Sequence, residues 1–201
     1  VIDYALRNSR KKITVVHKGN IMKYTEGAFR QWSYEAAEEF KESVVFNNAQ
    51  TDFDLAGDKV LFNDRIADNM FMQVIMCPEE YDILLCPNLN GDYFSDACAA
   101  LVGGLGVAPG ANIGDEVAIF EPAHGSAPEI AGKDMANPTS FLLSASMLFK
   151  FIGLEKASEV LERAVEDTIR TGIMTYDLGM QKKGTITVKC SDFGEAVKKR
   201  L

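Results

Sequence analysis

The sequence is poor in the residues that build zinc centres. It holds two histidines, His17 and His124, and four cysteines, Cys77, Cys86, Cys98 and Cys190, with no C-x-x-C pair among them. That scarcity excludes most zinc chemistry. Cys86 and Cys98 sit in apolar runs and are expected to be buried, reduced thiols. Positive charge is not in excess either: 21 Lys and Arg face 29 Asp and Glu, for a formal net charge of −8. Such a field repels a phosphate backbone unless basic residues are segregated into a patch, and none is visible. No nucleic acid partner is expected. No apolar stretch reaches the ~18 residues of a spanning helix, and no signal-peptide pattern opens the chain. No membrane association is expected, and the location reads as cytoplasmic, or the matrix of an organelle after loss of a targeting segment.

Two nucleotide fingerprints are missing as well. Gly104-x-Gly106 is followed at the next required position by Pro109, and the pair comes after a helical pattern where a strand is needed. Gly132-Lys133 runs into Asp134, so there is no phosphate-binding P-loop. Residues 47–58 read as a surface connection, and Asp52, Asp54 and Gly57 within it fail as a calcium loop because position twelve is Asn63.

What is present is an ordinary soluble composition, 47% hydrophobic and 25% charged over 201 residues, enough for one sizeable domain or two small lobes. The opening Val1-Ile2-Asp3-Tyr4-Ala5-Leu6 reads as the body of a helix without a cap, so an upstream segment is expected. Ile13-Thr14-Val15-Val16 predicts a strand, and Phe29, Trp32, Ala36 and Phe40 predict a helix behind Thr25. Asn63 is read as the cap of a helix bearing Ile66, Met70, Phe71, Val74 and Ile75, with Asp68 off its apolar stripe. Asp82 to Cys86 predicts a strand buried on both faces, Asn88 to Gly91 a turn, and Asp92 to Leu101 a helix. Val117 to Phe120 and Thr185 to Val188 predict further strands, 139–151 and 154–171 helices, with Gly172 ending the second and Ser191 capping a last helix. Strands and helices alternate, so the class is α/β.

Three constellations can carry chemistry. Asp92 and Asp96, at i and i+4, share a helix face near its start, where two carboxylates suit Mg²⁺ or Mn²⁺. From spacing alone the plainer reading, solvated acids near a helix start, is favoured, and Asp68 taken alone reads as a surface acid. Lys18 follows a strand in a Gly-Asn turn, where open α/β sheets display catalytic groups. A lysine beside carboxylates can donate and accept a proton, and it can also be an ordinary surface lysine. The loop around His124-Gly125 can hold a nucleotide by its backbone, or its glycines can simply permit tight turns.

Taken together, the segments resemble the β-decarboxylating dehydrogenases, the family of isocitrate, 3-isopropylmalate and homoisocitrate dehydrogenases. His17-Lys18-Gly19-Asn20-Ile21-Met22-Lys23 with Thr25-Glu26-Gly27-Ala28-Phe29 is similar to its isocitrate branch. Asn88-Leu89-Asn90-Gly91-Asp92-Tyr93-Phe94-Ser95-Asp96 resembles the family's metal signature. Residues 102–114 and Glu121-Pro122-Ala123-His124-Gly125-Ser126-Ala127-Pro128 resemble its cofactor loops. The likeness runs in order along nearly the whole chain.

The resemblance implies the family's two-lobed α/β architecture, not a Rossmann fold: a small lobe over 1–106 with the metal site and dimer helices, and a cofactor lobe over 107–201. It implies metal-dependent oxidative decarboxylation of isocitrate to 2-oxoglutarate with reduction of NAD(P). Asp92 and Asp96, with Asp68 from a neighbouring subunit, would hold Mg²⁺ or Mn²⁺. Lys18, also from the neighbour, would move a proton, and Asn20 would lie near nicotinamide and substrate. His124, Gly125, Ala127 and Asn137 would surround the adenosine, and the homodimer would join through helices near 64–76 and 92–102. Where NADP-using bacterial relatives carry Lys-Tyr, this chain has Glu129-Ile130; Tyr176 is retained, Met180 stands at an arginine position and Cys77 at another. A carboxylate there repels a 2′-phosphate and accepts ribose hydroxyls, so NAD is expected over NADP. The family's Ser-x-x-x-Asn substrate clamp, with its arginines and tyrosine, has no match here. The chain therefore resembles a C-terminal half, expected to be inactive alone. A regulatory subunit of a hetero-oligomer, or an enzyme acting on homoisocitrate or isopropylmalate, are the alternatives.

Overall fold

The computed structural model describes residues 1–47 and 57–201, so most of the predicted connection at 47–58, with Asp52 and Asp54, lies outside the described residues. The chain divides into two compact units, Val1–Cys98 and Ala99–Leu201. Among the described residues no helix is long and apolar enough to cross a membrane.

The first unit is an open parallel sheet. Its strands are β1 (Lys12–His17), β2 (Val44–Phe46), β3 (Val60–Ile66) and β4 (Ile83–Leu85), in the order β2-β3-β1-β4. All three pairings are parallel. Successive strand residues face opposite sides, so Ile13 and Val15 pack with Ile2, Ala5 and Ala37 from helices α1 (Ile2–Arg7) and α2 (Glu26–Glu38). Val16 points the other way, onto Met70, Val74 and Phe94 of helices α3 (Ala67–Met76) and α4 (Asn88–Val102). Covering both faces is what a parallel sheet needs, and every residue of β1 is buried. Phe71 and Phe94 stack at 4.0 Å between ring centroids, tying α3 to α4.

Three local expectations are corrected here. Asn63 does not cap a helix: it lies inside β3, fully buried, accepting a 2.8 Å hydrogen bond from Thr14 Oγ1. Pairing of 60–66 with β1 delays the helix to Ala67, so tertiary pairing overrides a local cap signal. β4 is half-buried rather than buried on both faces, because it is an edge strand. Asn88 to Gly91 is helical, with Gly91 N–H bonded to Pro87 C=O at 2.8 Å. No acid then lies in the first turn of α4, and the dipole contribution expected for Asp92 is lost beyond that turn.

The second unit is built on β5 (Pro109–Ile113) and β6 (Ala118–Pro122), an antiparallel hairpin, with helices α5 (Thr139–Phe151) and α6 (Glu155–Arg170). The two-residue strands β7 (Ile173–Met174) and β8 (Ile186–Thr187) pair in parallel, α7 (Tyr176–Gly179) lies between them, and α8 (Cys190–Lys198) ends the unit. Leu161, Ala164 and Val165 of α6 and Phe193 and Val197 of α8 form its core. Gly172, at φ +86°, is the left-handed residue that stops α6, as expected. Ser144, buried in α5, bonds Glu121 C=O at 2.9 Å and pins the helix to the hairpin. Gly110 allows that approach, since a Cβ there would stand 2.8 Å from the same carbonyl.

Candidate functional site

In parallel α/β sheets, chemistry collects beyond the carboxyl ends of the strands. β1 ends at His17 and is followed by Lys18 and Asn20; β3 ends at Ile66 and is followed by Asp68 in the first turn of α3; β4 leads to α4, which carries Asp92 and Asp96. The structure brings Lys18 and Asp68 into contact, Lys18 Nζ donating to the Asp68 carboxylate. That hydrogen bond holds the Asp68 carboxyl below its ordinary range. Asn20 is exposed in the same turn.

Asp92 and Asp96 are exposed on one face of α4, and no donor among the described residues is bonded to either carboxylate. Paired, unclaimed oxygens of this kind fit a hard divalent cation. Asp68 does not join them: among the described residues no three His, Cys, Asp or Glu side chains are grouped closely enough to hold a metal ion.

Behind Lys18 lies a polar network that sequence reasoning missed. Asp64, four residues before Asp68, accepts from Tyr34 Oη at 2.8 Å and Arg30 Nη2 at 2.8 Å, and lies 3.1 Å from His17 Nε2. Burial pushes the Asp64 carboxyl up, but hydrogen bonds from His17, Arg30 and Tyr34 outweigh it and hold it far below the usual carboxylate range. Its contribution to stability is complete above the ordinary value of 3.8 and is lost only as pH falls through the lowered value. Replacing Asp64 with Asn should destabilise the fold by about 2–3 kcal/mol at pH 7, below the usual figure for a broken buried pair because Arg30 is partly solvated. In urea unfolding followed from pH 7 down to about 3, the gap between wild type and D64N should stay constant until below pH ~4 and then close. A gap that closes near pH 6 would contradict this origin.

The second unit contains a separate cleft of about 920 Å³. Four segments line it: Gly103 to Gly106, His124 to Ala127, Ile130 to Asn137 in part, and Tyr176 to Gln181 in part, with Cys190 at the start of α8. Of the cofactor residues expected from sequence, His124, Gly125, Ala127, Ile130, Asn137 and Tyr176 all line it. Glu129 does not: it is exposed in the short 3₁₀ turn Pro128–Ile130, outside the lining.

Gly106 forms part of the wall because a Cβ there would meet Asp177 Oδ2 at 2.7 Å and Asn137 Cβ at 3.1 Å. Asp177 was missed from sequence. It accepts from Asn137 Nδ2 at 3.0 Å and from Thr175 Oγ1 at 2.5 Å. Asn137 Oδ1 in turn accepts Thr139 N–H at 3.0 Å, so the amide has one orientation and one N–H left over. Asp134, at φ +55°, clamps the far wall by accepting Ser191 N–H at 2.9 Å and Ser191 Oγ–H at 2.6 Å. Ser191 is therefore inside α8 and not its cap; the capping oxygens come from Asp134, distant in sequence.

Residues 1–197 match the model of the isocitrate/isopropylmalate dehydrogenase family. The isocitrate dehydrogenase [NADP] of Archaeoglobus fulgidus is 52% identical over 206 residues, covering 100% of this chain and 49% of the relative. That of Haloferax volcanii is 47% identical over 200 residues, covering 98% of this chain and 48% of the relative. Isocitrate dehydrogenase from Methylococcus capsulatus superposes with a TM-score of 0.85 at 40% identity, over 99% of this chain and 53% of that one. The chain spans about half the length of the curated relatives it matches. These relatives are NADP enzymes, as are those of Coxiella burnetii, Pseudomonas aeruginosa and Helicobacter pylori, and this overturns the expected preference for NAD. Glu129, on which the charge argument rested, is exposed and does not line the cleft. The chain, by the extent of the family match and by its fold, belongs to the isocitrate/isopropylmalate dehydrogenase family.

Proposed function

We propose that this chain is the metal- and cofactor-bearing part of an NADP-using isocitrate dehydrogenase, acting as one of two identical subunits that share their sites. The observation that carries the reading is the division of the polar residues in the first unit. Lys18 is bonded to Asp68, while Asp92 and Asp96 stand unclaimed on α4, and no third His, Cys, Asp or Glu among the described residues is grouped with them. A second copy can supply such a group. The surfaces of α3 and α4 support such pairing: Met72, Ile75 and Met76 on one, and Leu89, Tyr93 and Leu101 on the other, are exposed apolar side chains, more than a solvent-facing surface ordinarily presents together.

In this reading Asp92 and Asp96, with a partner's Asp68, would hold Mg²⁺ or Mn²⁺, which supplies Lewis-acid polarisation of the substrate oxygens when bound. Lys18 holds and moves the proton: its Nζ, on the same subunit as Asp68, is delivered beside the reacting carbons, and its hydrogen bond to the Asp68 carboxylate fixes where it points. The cleft of the second unit takes the dinucleotide. Asn137 offers its remaining N–H to an acceptor on the base, and the backbone around His124-Gly125 leaves room for the adenosine. The cationic groups that bind three substrate carboxylates are assigned to the part of the relatives that this chain does not match.

The test is reduction of NADP by isocitrate with Mn²⁺, using the full-length polypeptide that contains this chain. NADPH formation accompanied by CO₂ release is the expected result. Turnover of isopropylmalate in place of isocitrate, or of neither, would overturn the reading.

A further inference from the structure

We propose that His17 is a positioning residue for Lys18, fixing the turn that presents it through a single tautomer of its imidazole. The inference rests on the reading of Lys18 as the proton-transfer lysine. His17 is the last residue of β1, 5% exposed, and the chain reverses immediately after it. The Gly19 N–H points back at His17 Nδ1, 3.0 Å away. A main-chain amide can only donate, so Nδ1 must present its lone pair and carry no proton. The ring proton then resides on Nε2, 3.1 Å from Asp64 Oδ2, and is donated to that carboxylate. Tyr34 and Arg30 hold Asp64 from its other side. The tautomer is thus dictated at both nitrogens.

The consequence is a turn with little freedom around Lys18. The Lys18 N–H donates to the Glu26 carboxylate, which also accepts Asn90 Nδ2 at 3.0 Å. The Lys18 carbonyl accepts the N–H groups of Met22 at 2.9 Å and Ile21 at 3.1 Å. Gly19 is pressed onto Gly27, where a Cβ would lie 2.7 Å from the Gly27 Cα. Among the acceptors that shape this turn, the imidazole is the one that a change of proton position would abolish. With a proton on Nδ1 the Gly19 amide would face another donor, and the peptide that follows Lys18 would have to rotate away.

The two ring nitrogens can be tested apart. Asparagine places a carbonyl oxygen close to the position of Nδ1, so H17N can still accept Gly19 N–H while losing Asp64. Glutamine places an amide near the position of Nε2, so H17Q can still donate to Asp64 while releasing Gly19. In the full-length enzyme kcat for isocitrate should fall about tenfold further in H17Q than in H17N, with KM for NADP the same in both. The unfolding midpoint should order the other way, H17Q above H17N, because the partner of the Asp64 charge is kept. A purely structural histidine would make kcat follow stability, and that outcome overturns the proposal. A measurement needing no variant is the ¹⁵N spectrum of the imidazoles, since the chain has two histidines to assign. His124 Nδ1 lies 2.9 Å from Gly125 C=O, which can only accept, so His124 must carry its proton on Nδ1. In its neutral form His17 should show the opposite pattern, with its proton on Nε2; a neutral His17 protonated on Nδ1 overturns the proposal. Failure of the underlying reading is separate: an active wild type that keeps full turnover as K18M removes the role of Lys18 and leaves the tautomer of His17 untouched.

Discussion

Replacing Lys18 with methionine is expected to lower kcat for isocitrate oxidation by about 10² to 10⁴, the range over which a positioned proton-transfer group acts. Methionine keeps the length of the side chain and removes both its charge and its proton. Lys18 is half-buried, and its ammonium is the hydrogen-bond donor to Asp68. Loss of that donor should let the Asp68 carboxyl return toward its ordinary value, because the bond from Lys18 is the main reason it is lowered. The backbone of the turn should survive, since Glu26 and His17 hold the N–H groups of Lys18 and Gly19 and neither bond involves the lysine side chain. The expected signature is therefore a kcat effect with KM for NADP and the unfolding midpoint nearly unchanged. Steady-state rates and thermal unfolding of K18M settle it; a fall in stability matching the fall in rate would assign Lys18 to the fold instead.

Phe193→Ala should have the largest effect on stability, about 3–5 kcal/mol. Phe193 is fully buried in α8, packed in the cluster with Leu161, Ala164 and Val165 of α6. Truncation removes a large apolar surface from the core and leaves a cavity that two helices fixed by their other contacts cannot close. For a chain of this size the midpoint should fall by roughly ten degrees. The loss should also reach the cleft of the second unit, because α8 begins at Cys190, which lines it, and its first turn is held by Asp134 from the opposite loop. Dinucleotide affinity measured by fluorescence titration below the transition should therefore weaken in F193A. Unchanged affinity would show that the Asp134–Ser191 clamp holds without the packing behind it.

Local sequence was sufficient wherever an element depends on its own periodicity. The helix at 139–151 and the end of α6 at Gly172 were legible because apolar spacing and a left-handed glycine act within a few residues. Sequence placed Lys18, Asp68, Asp92 and Asp96 near strand ends and singled out His124-Gly125, and the structure places Lys18 against Asp68 and His124 and Gly125 in the cleft. Tertiary structure decided what those residues touch. It extended β3 through Asn63 to Ile66, because parallel pairing with β1 outweighs one capping side chain. It started α4 at Asn88 and so moved Asp92 beyond the first turn. It left Glu129 exposed, outside the lining of the cleft. Asp64, Asp177 and Asp134 were invisible in the sequence because their partners are 30 to 57 residues away, as with Tyr34, Asn137 and Ser191. The identity of a carboxylate is written in the chain. Whether it holds a histidine tautomer, orients an amide or caps a helix depends on which distant donors the packed fold brings within 3 Å, and only folding determines that.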